Sequence, residues 1–148
     1  MHKHNNLLDN NEILALGKSL RQIEQKLLKQ DKNQGILRIW FQGLEPYFDV
    51  FFELKNDEII WFQFTLRGKS LSWENKLQTC QTGTTNELRS DDVSFYAASK
   101  IIENDDMNDY EFMNLVKSIL QTRSEELIFA KALALFDNYD SIIHPSDK

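Results

Sequence analysis

Leu66-Arg67-Gly68-Lys69-Ser70 ends in the Gly-Lys-Ser of a phosphate loop, where backbone N–H groups and a lysine cradle phosphate oxygens. The full motif needs a second glycine ahead of Gly68 where Gln63 stands, and a helix afterwards. Leu71-Ser72-Trp73 alternates like a strand instead, so a hairpin turn is expected here. The acidic run at 103–109 is the next candidate. A calcium loop alternates Asp or Asn and closes on Gly. Asp106 and Asn108 fit that spacing, but Tyr110 occupies the third ligand position and no Gly follows. The run reads as a solvated turn whose Asn and Asp side chains cap a helix. His2, His4 and His144 lie near the chain ends with no Cys or carboxylate constellation at ligand spacing. The lone Cys80 has no ordered His nearby in sequence to activate it. Gly-x-Ser-x-Gly, His-Glu-x-x-His and dinucleotide fingerprints are absent. No catalytic, cofactor-binding or metal-ligating residue is assigned, no cofactor is called for, and the chain leans away from an enzyme.

The aromatic residues of the central third offer more. Residues 47–54 alternate with period two, with Phe48, Val50, Phe52 and Leu54 on one face and Tyr47, Asp49, Phe51 and Glu53 on the other. Residues 58–67 repeat the pattern, with Ile60, Phe62, Phe64 and Leu66 against Ile59, Trp61, Gln63 and Thr65. The first set is the core face of a sheet. The second face, extended by Arg38 and Trp40 from 36–42 and by Ser72 and Glu74, gathers Trp40, Tyr47, Phe51 and Trp61 among polar groups. Aromatic patches bordered by polar groups mark interaction sites, and Trp, Tyr and Arg are favoured anchors. The candidate interaction face is therefore Arg38, Trp40, Tyr47, Asp49, Phe51, Trp61, Gln63 and Glu74. The alternative is that a helix or the 77–90 segment covers this face as a third layer.

Those strands need positioning elements. Putting both apolar sets on one face requires an odd-length loop, because a one-residue slip swaps faces. Lys55-Asn56-Asp57 supplies it and pairs Phe52 with Ile60, Val50 with Phe62 and Phe48 with Phe64. Gly68-Lys69 suits a type II′ turn pairing Leu66 with Leu71, Phe64 with Trp73 and Phe62 with Asn75. A four-stranded antiparallel meander follows. Ahead of it, Ile13, Leu16, Leu20, Ile23 and Leu27 make one stripe of a helix over 10–31, capped by Asn10 or Asn11. Residues 77–90 form a polar connection. Helices are expected from 90 to about 103, from Asn108 with Glu111, and over 123–137, where Thr122 with Glu125 has capping-box spacing. The run 127–136 is apolar nearly all round, the mark of a buried helix. The architecture is α+β in two layers: one N-terminal helix, the meander, and about three C-terminal helices.

Length and charge set the remaining bounds. The chain has 148 residues and a formal charge of −6. Folding buries about two-thirds of the surface of such a chain, enough for one core. One domain is expected over 1–148, with an ordered core over about 9–140 and loose termini. A lone cysteine fits a reducing compartment, and neither a signal peptide nor an apolar run of membrane-spanning length is visible. The expected setting is the cytoplasm, with no membrane. Net negative charge without any Lys/Arg run argues against nucleic acid.

The sequence thus points to a small acidic protein-interaction or regulatory module, docking a protein partner or a second copy of itself through the aromatic face. The competing reading is a small-ligand binder or enzyme near the 77–90 loop, using Arg67, Glu74, Glu87, Arg89, Asp91 or Asp92.

Overall fold

The computed structural model describes residues 9–24, 35–85 and 102–143. In them the strands Arg21–Gln22 (β1), Ile36–Gln42 (β2), Asp49–Lys55 (β3), Glu58–Leu66 (β4), Lys69–Glu74 (β5), Thr79–Thr85 (β6) and Ile102–Asn104 (β7) form one antiparallel sheet, paired in chain order. The helices are Asn10–Ser19 (α1), Tyr110–Gln121 (α2) and Leu127–Ile143 (α3). The α+β character stands. The four-stranded meander does not: β2–β5 are the middle of a seven-stranded sheet.

Both central hairpins differ from the expected register by two residues, and in both the turn chemistry explains it. Between β3 and β4, Lys55 pairs with Glu58 and encloses only Asn56-Asp57, at φ 54° and 66°. Two left-handed residues in succession give a type I′ turn, whose twist matches that of the strands. The register then shifts, with Leu54 facing Ile59 and Glu53 facing Trp61, so that Ile60 is the extra residue of a β-bulge. Turn plus bulge restores the parity that an odd loop would have given. Phe52 faces Phe62 and Val50 faces Phe64. Ile59 rather than Ile60 enters the core, 6% exposed. At the next hairpin the turn is Arg67-Gly68, again left-handed at both positions (φ 53° and 82°), not Gly68-Lys69. Leu66 then faces Lys69, Phe64 faces Leu71 and Phe62 faces Trp73.

The 77–90 connection is largely strand. Thr79–Thr85 forms β6, with Cys80 opposite Trp73 and buried. The helix expected over 90–103 lies outside the described residues except at its end, where Ile102–Asn104 is the edge strand β7. The acidic run docks onto β6. Thr82 Oγ1 donates to Asp105 Oδ2 at 2.7 Å, Asn108 Oδ1 accepts from Thr82 N at 2.9 Å, and Asn108 Nδ2 donates to Cys80 O at 3.0 Å. Asn108 is thereby engaged with the sheet, and Asp109 caps α2 by accepting from Phe112 N at 3.0 Å.

The helix expected over 10–31 ends at Ser19. Asp9, not Asn10 or Asn11, caps it, accepting from Glu12 N at 2.8 Å. At its other end Arg123 Nη1 donates to Gly17 O (2.8 Å) and Leu20 O (2.7 Å), taking carbonyls that a longer helix would use internally. The chain then turns extended and lays β1 along β2. Thr122, expected to open the last helix, closes α2 instead, donating to Ile119 O at 2.6 Å; α3 begins at Leu127. The expectation of loose termini falls outside the described residues, save that 141–143 are the end of α3.

One apolar core joins the three helices to one face of the sheet. Leu16 and Leu20, then Phe112, Met113, Val116, Ile119 and Leu120, then Phe129, Ala132 and Phe136 close over Phe41, Val50, Phe52, Phe62, Phe64, Leu66, Leu71 and Trp73. Ring contacts tie the layers, with Phe41 to Phe129 at 4.7 Å and Phe64 to Phe112 at 6.2 Å between centroids. No helix among the described residues is long and apolar enough to cross a membrane.

Candidate functional site

The register arranges the face away from the helices as three cross-strand rows. One runs Gln42-Asp49-Thr65-Ser70-Gly83, the next Trp40-Phe51-Gln63-Ser72-Gln81, and the third Arg38-Glu53-Trp61-Glu74-Thr79. Seven of the eight candidate residues therefore share this face. Tyr47 does not belong to a strand. It sits in the loop before β3 at φ 62°, and its carbonyl accepts from Thr65 Oγ1 at 3.1 Å.

Exposure is graded across the rows. Asp49, Thr65 and Ser70 in the first are buried. In the second, Trp40 is 8% and Phe51 4% exposed, and Gln63 is buried beside them. Trp40 and Phe51 make a second, smaller apolar cluster with Ile23 and Trp61 packed against it. Ile23 reaches them because α1 ends early: its N–H donates to Trp40 O at 2.8 Å, just beyond β1. The indole N–H of Trp40 donates to Asp49 Oδ1 at 2.9 Å, which supplies a partner for a buried donor. Trp40, Phe51 and Asp49 are thus interior groups.

The third row is open. Trp61 is half-buried and meets Phe51 edge-on at 5.9 Å. Arg38 Nε donates to Glu53 Oε2 at 3.0 Å across β2 and β3. Glu74 is exposed and has no ion-pair partner among the described residues. A groove of about 590 Å³ opens here, lined by Glu53, Lys55, Ile60, Trp61, Glu74 and Lys76 among others. Lys55, Ile60 and Lys76 were not anticipated. The bulge brings Ile60 to the groove, and the four-residue turn after β5 brings Lys76.

Of the residues considered for a site near 77–90, the two that are described, Arg67 and Glu74, do not come together. Arg67 lies at the opposite end of β4 from the Trp61–Glu74 pair. It bonds Glu45 at 2.7 Å and Glu12 at 3.3 Å. The hydrogen bond from Arg67 holds the Glu45 carboxyl below the usual range, and Glu45 and Glu12 raise Arg67 in turn. Glu87, Arg89, Asp91 and Asp92 lie outside the described residues, as do His2, His4 and His144. Among the described residues no group of three or more His, Cys, Asp and Glu could hold a metal ion. A second cavity, of about 500 Å³, lies on the helix side between the β3–β4 turn, the β5–β6 turn and α3. Its one cation among the described residues, Lys131, is the only charged residue in the apolar run 127–136, a signal that sequence reading passed over. The chain matches no protein-family model, no curated protein and no solved structure.

Proposed function

We propose that this chain is a non-enzymatic interaction module whose docking surface is the open row around Trp61, not the whole aromatic face. The observation that carries this reading is Trp61 itself. It stands half-exposed over a groove, and its indole N–H has no acceptor among the described residues. A large amphipathic ring at a groove edge is a typical hot-spot anchor. The exposed Glu74 carboxylate beside it, without an ion-pair partner among the described residues, and the net charge of −6 favour a partner segment that lays an apolar side chain on Trp61 and a Lys or Arg against Glu74. The partner is a different protein or a second copy of this chain. A cytoplasmic setting belongs to the same reading, since Cys80 is the one cysteine of the sequence and is buried.

Sedimentation and affinity capture with Trp61→Ala and Glu74→Lys test it, with folding verified by circular dichroism. Both variants are expected to lose self-association or the capture of a basic partner while keeping the native spectrum. Unchanged sedimentation together with an unchanged captured set would remove this row as the interface. Trp40→Ala and Phe51→Ala do not serve the purpose, because those side chains are interior.

A further inference from the structure

The helix-side cavity holds an apolar wall, charges of both signs and one unsatisfied donor. Ile59 and Leu135 form the wall together with Trp73. Trp73 is 5% exposed and its ring stacks on Phe62 at 6.5 Å. No group among the described residues accepts from its indole N–H. A buried tryptophan usually finds a partner, and leaving such a donor unmade costs stability. Lys131 Nζ donates to the backbone carbonyl of Asp57, which ties it to the cavity rim and uses one of its three donors. It forms no ion pair among the described residues. Asp57 and Glu58 also line the space, and Asp57 forms no ion pair among the described residues; Glu58, next to core-facing Ile59 in β4, turns its side chain to the other face of the sheet.

We propose that this cavity binds a small zwitterion with an apolar body, of the free amino-acid class. Its carboxylate is taken by Lys131 and the Trp73 N–H, its ammonium by Asp57, and its side chain by Ile59, Leu135 and the indole. The Asp57 carboxylate at the rim disfavours a simple anion. The Lys131 charge and the unsatisfied donor disfavour a simple cation. Only a ligand carrying both charges satisfies every group. The volume, about 500 Å³, lies within the range of small-molecule sites. The site shares only Asn75 with the Trp61 groove, and neither proposal uses that residue, so neither depends on the other.

Calorimetry and ¹⁵N–¹H spectra on the full chain test it, with L-phenylalanine, L-leucine, phenethylamine and 3-phenylpropionate as probes. The three tryptophans give three indole signals, and Trp73→Phe identifies the one that belongs to Trp73. At millimolar concentration a zwitterionic probe is expected to move the Trp73 signal and to bind more tightly than either singly charged probe. Lys131→Met is expected to weaken it about tenfold or more, the worth of a charge-assisted hydrogen bond. Should Lys131→Met fail to fold, Asp57→Asn, which keeps the left-handed turn position, carries the same expectation for the ammonium end. An unmoved Trp73 signal with all four probes overturns the proposal, as does equal binding of the acid, the amine and the zwitterion.

Discussion

Phe51→Ala separates an interior aromatic layer from an exposed one. Phe51 is 4% exposed on the face turned away from the helices, against Trp40, Ile23 and Trp61. A buried phenylalanine removes about 150 Å² or more from water, which at about 25 cal/mol/Å² comes to about 4 kcal/mol. Compactness of the denatured chain lowers that figure and the cavity left behind raises it, so about 3–4 kcal/mol is expected. For a chain of this size the same loss lowers Tm by about 10 °C. Trp61→Ala, one row over and half-exposed, should cost only about 1–2 kcal/mol, because much of the indole is already in water. The assay is urea unfolding followed by far-ultraviolet circular dichroism, which does not depend on the fluorophore that Trp61→Ala deletes. Equal m-values would show that the difference lies in the native state. A Phe51→Ala loss below about 1 kcal/mol, the level of an ordinary surface change, would refute the interior assignment. So would a Trp61→Ala loss as large as that of Phe51→Ala, since the third row would then be as buried as the second.

Gly17→Ala should destabilise by about 1–3 kcal/mol although alanine is the better helix former. The added methyl would stand 1.8 Å from Thr122 Oγ1, so Thr122→Ala should restore most of the loss in the double variant's urea midpoint. Asp57→Gly should raise the unfolding free energy by about 0.5–1 kcal/mol, read as a higher urea midpoint, because glycine adopts the left-handed φ of 66° at the second turn position without steric cost. Asp109 is pushed up by burial, but the bonds from Phe112 N and Lys69 outweigh this and hold it below the usual aspartate range. A carboxyl depressed in the folded state stabilises fully above its unfolded pKa of about 3.9 and loses that contribution as pH falls through the folded value. The stability gap between wild type and Asp109→Asn, which can still cap α2, should therefore be flat above about pH 5 and shrink in acid; a gap that widens in acid would reverse the assignment.

Period-two alternation located β2 to β5 and assigned their faces, save at the β4 bulge where Ile59 and Ile60 exchange sides, because a buried face imposes that period whatever the strands pair with. It did not fix register. A shift of two residues leaves every side chain on its own face, so pattern alone cannot distinguish Phe64 opposite Trp73 from Phe64 opposite Leu71. Turn chemistry decides, and it was misread at Arg67, a residue rarely placed in left-handed backbone. Helix starts failed by one residue in the same way twice. Asp9 and Asp109 cap while the adjacent Asn10 begins α1 and Asn108 is drawn onto β6. Neighbouring Asn and Asp have equal capping power, and only tertiary partners choose between them. β6 was hidden by polarity. Its Thr82 is buried because Asp105 and Asp109 N bond its hydroxyl, a compensation no local pattern displays. β1 and β7 have two and three residues, too short for any period, and exist through pairing with Gln42, Phe41 and β6.

The candidate site was legible as a composition and illegible as an exposure. Trp40, Phe51 and Trp61 carry the same sequence signal, an aromatic residue at an outward position in an alternating strand. What separates them is where the chain goes after α1. A helix running to residue 31 would keep Ile23 on the core side. Ending at Ser19, with Arg123 holding the carbonyls of Gly17 and Leu20, the chain crosses the sheet edge and sets Ile23 against Trp40 and Phe51. An arginine more than a hundred residues away thus bears on which aromatic residues remain open to a partner. Arg123→Ala tests that dependence directly. It should loosen the α1–β1 junction, raise the quencher accessibility of tryptophan emission and leave a Trp61-dependent interaction in place. Loss of the interaction in a variant that keeps the sheet's circular dichroism would mean that the covered row, and not Trp61, carries the contact.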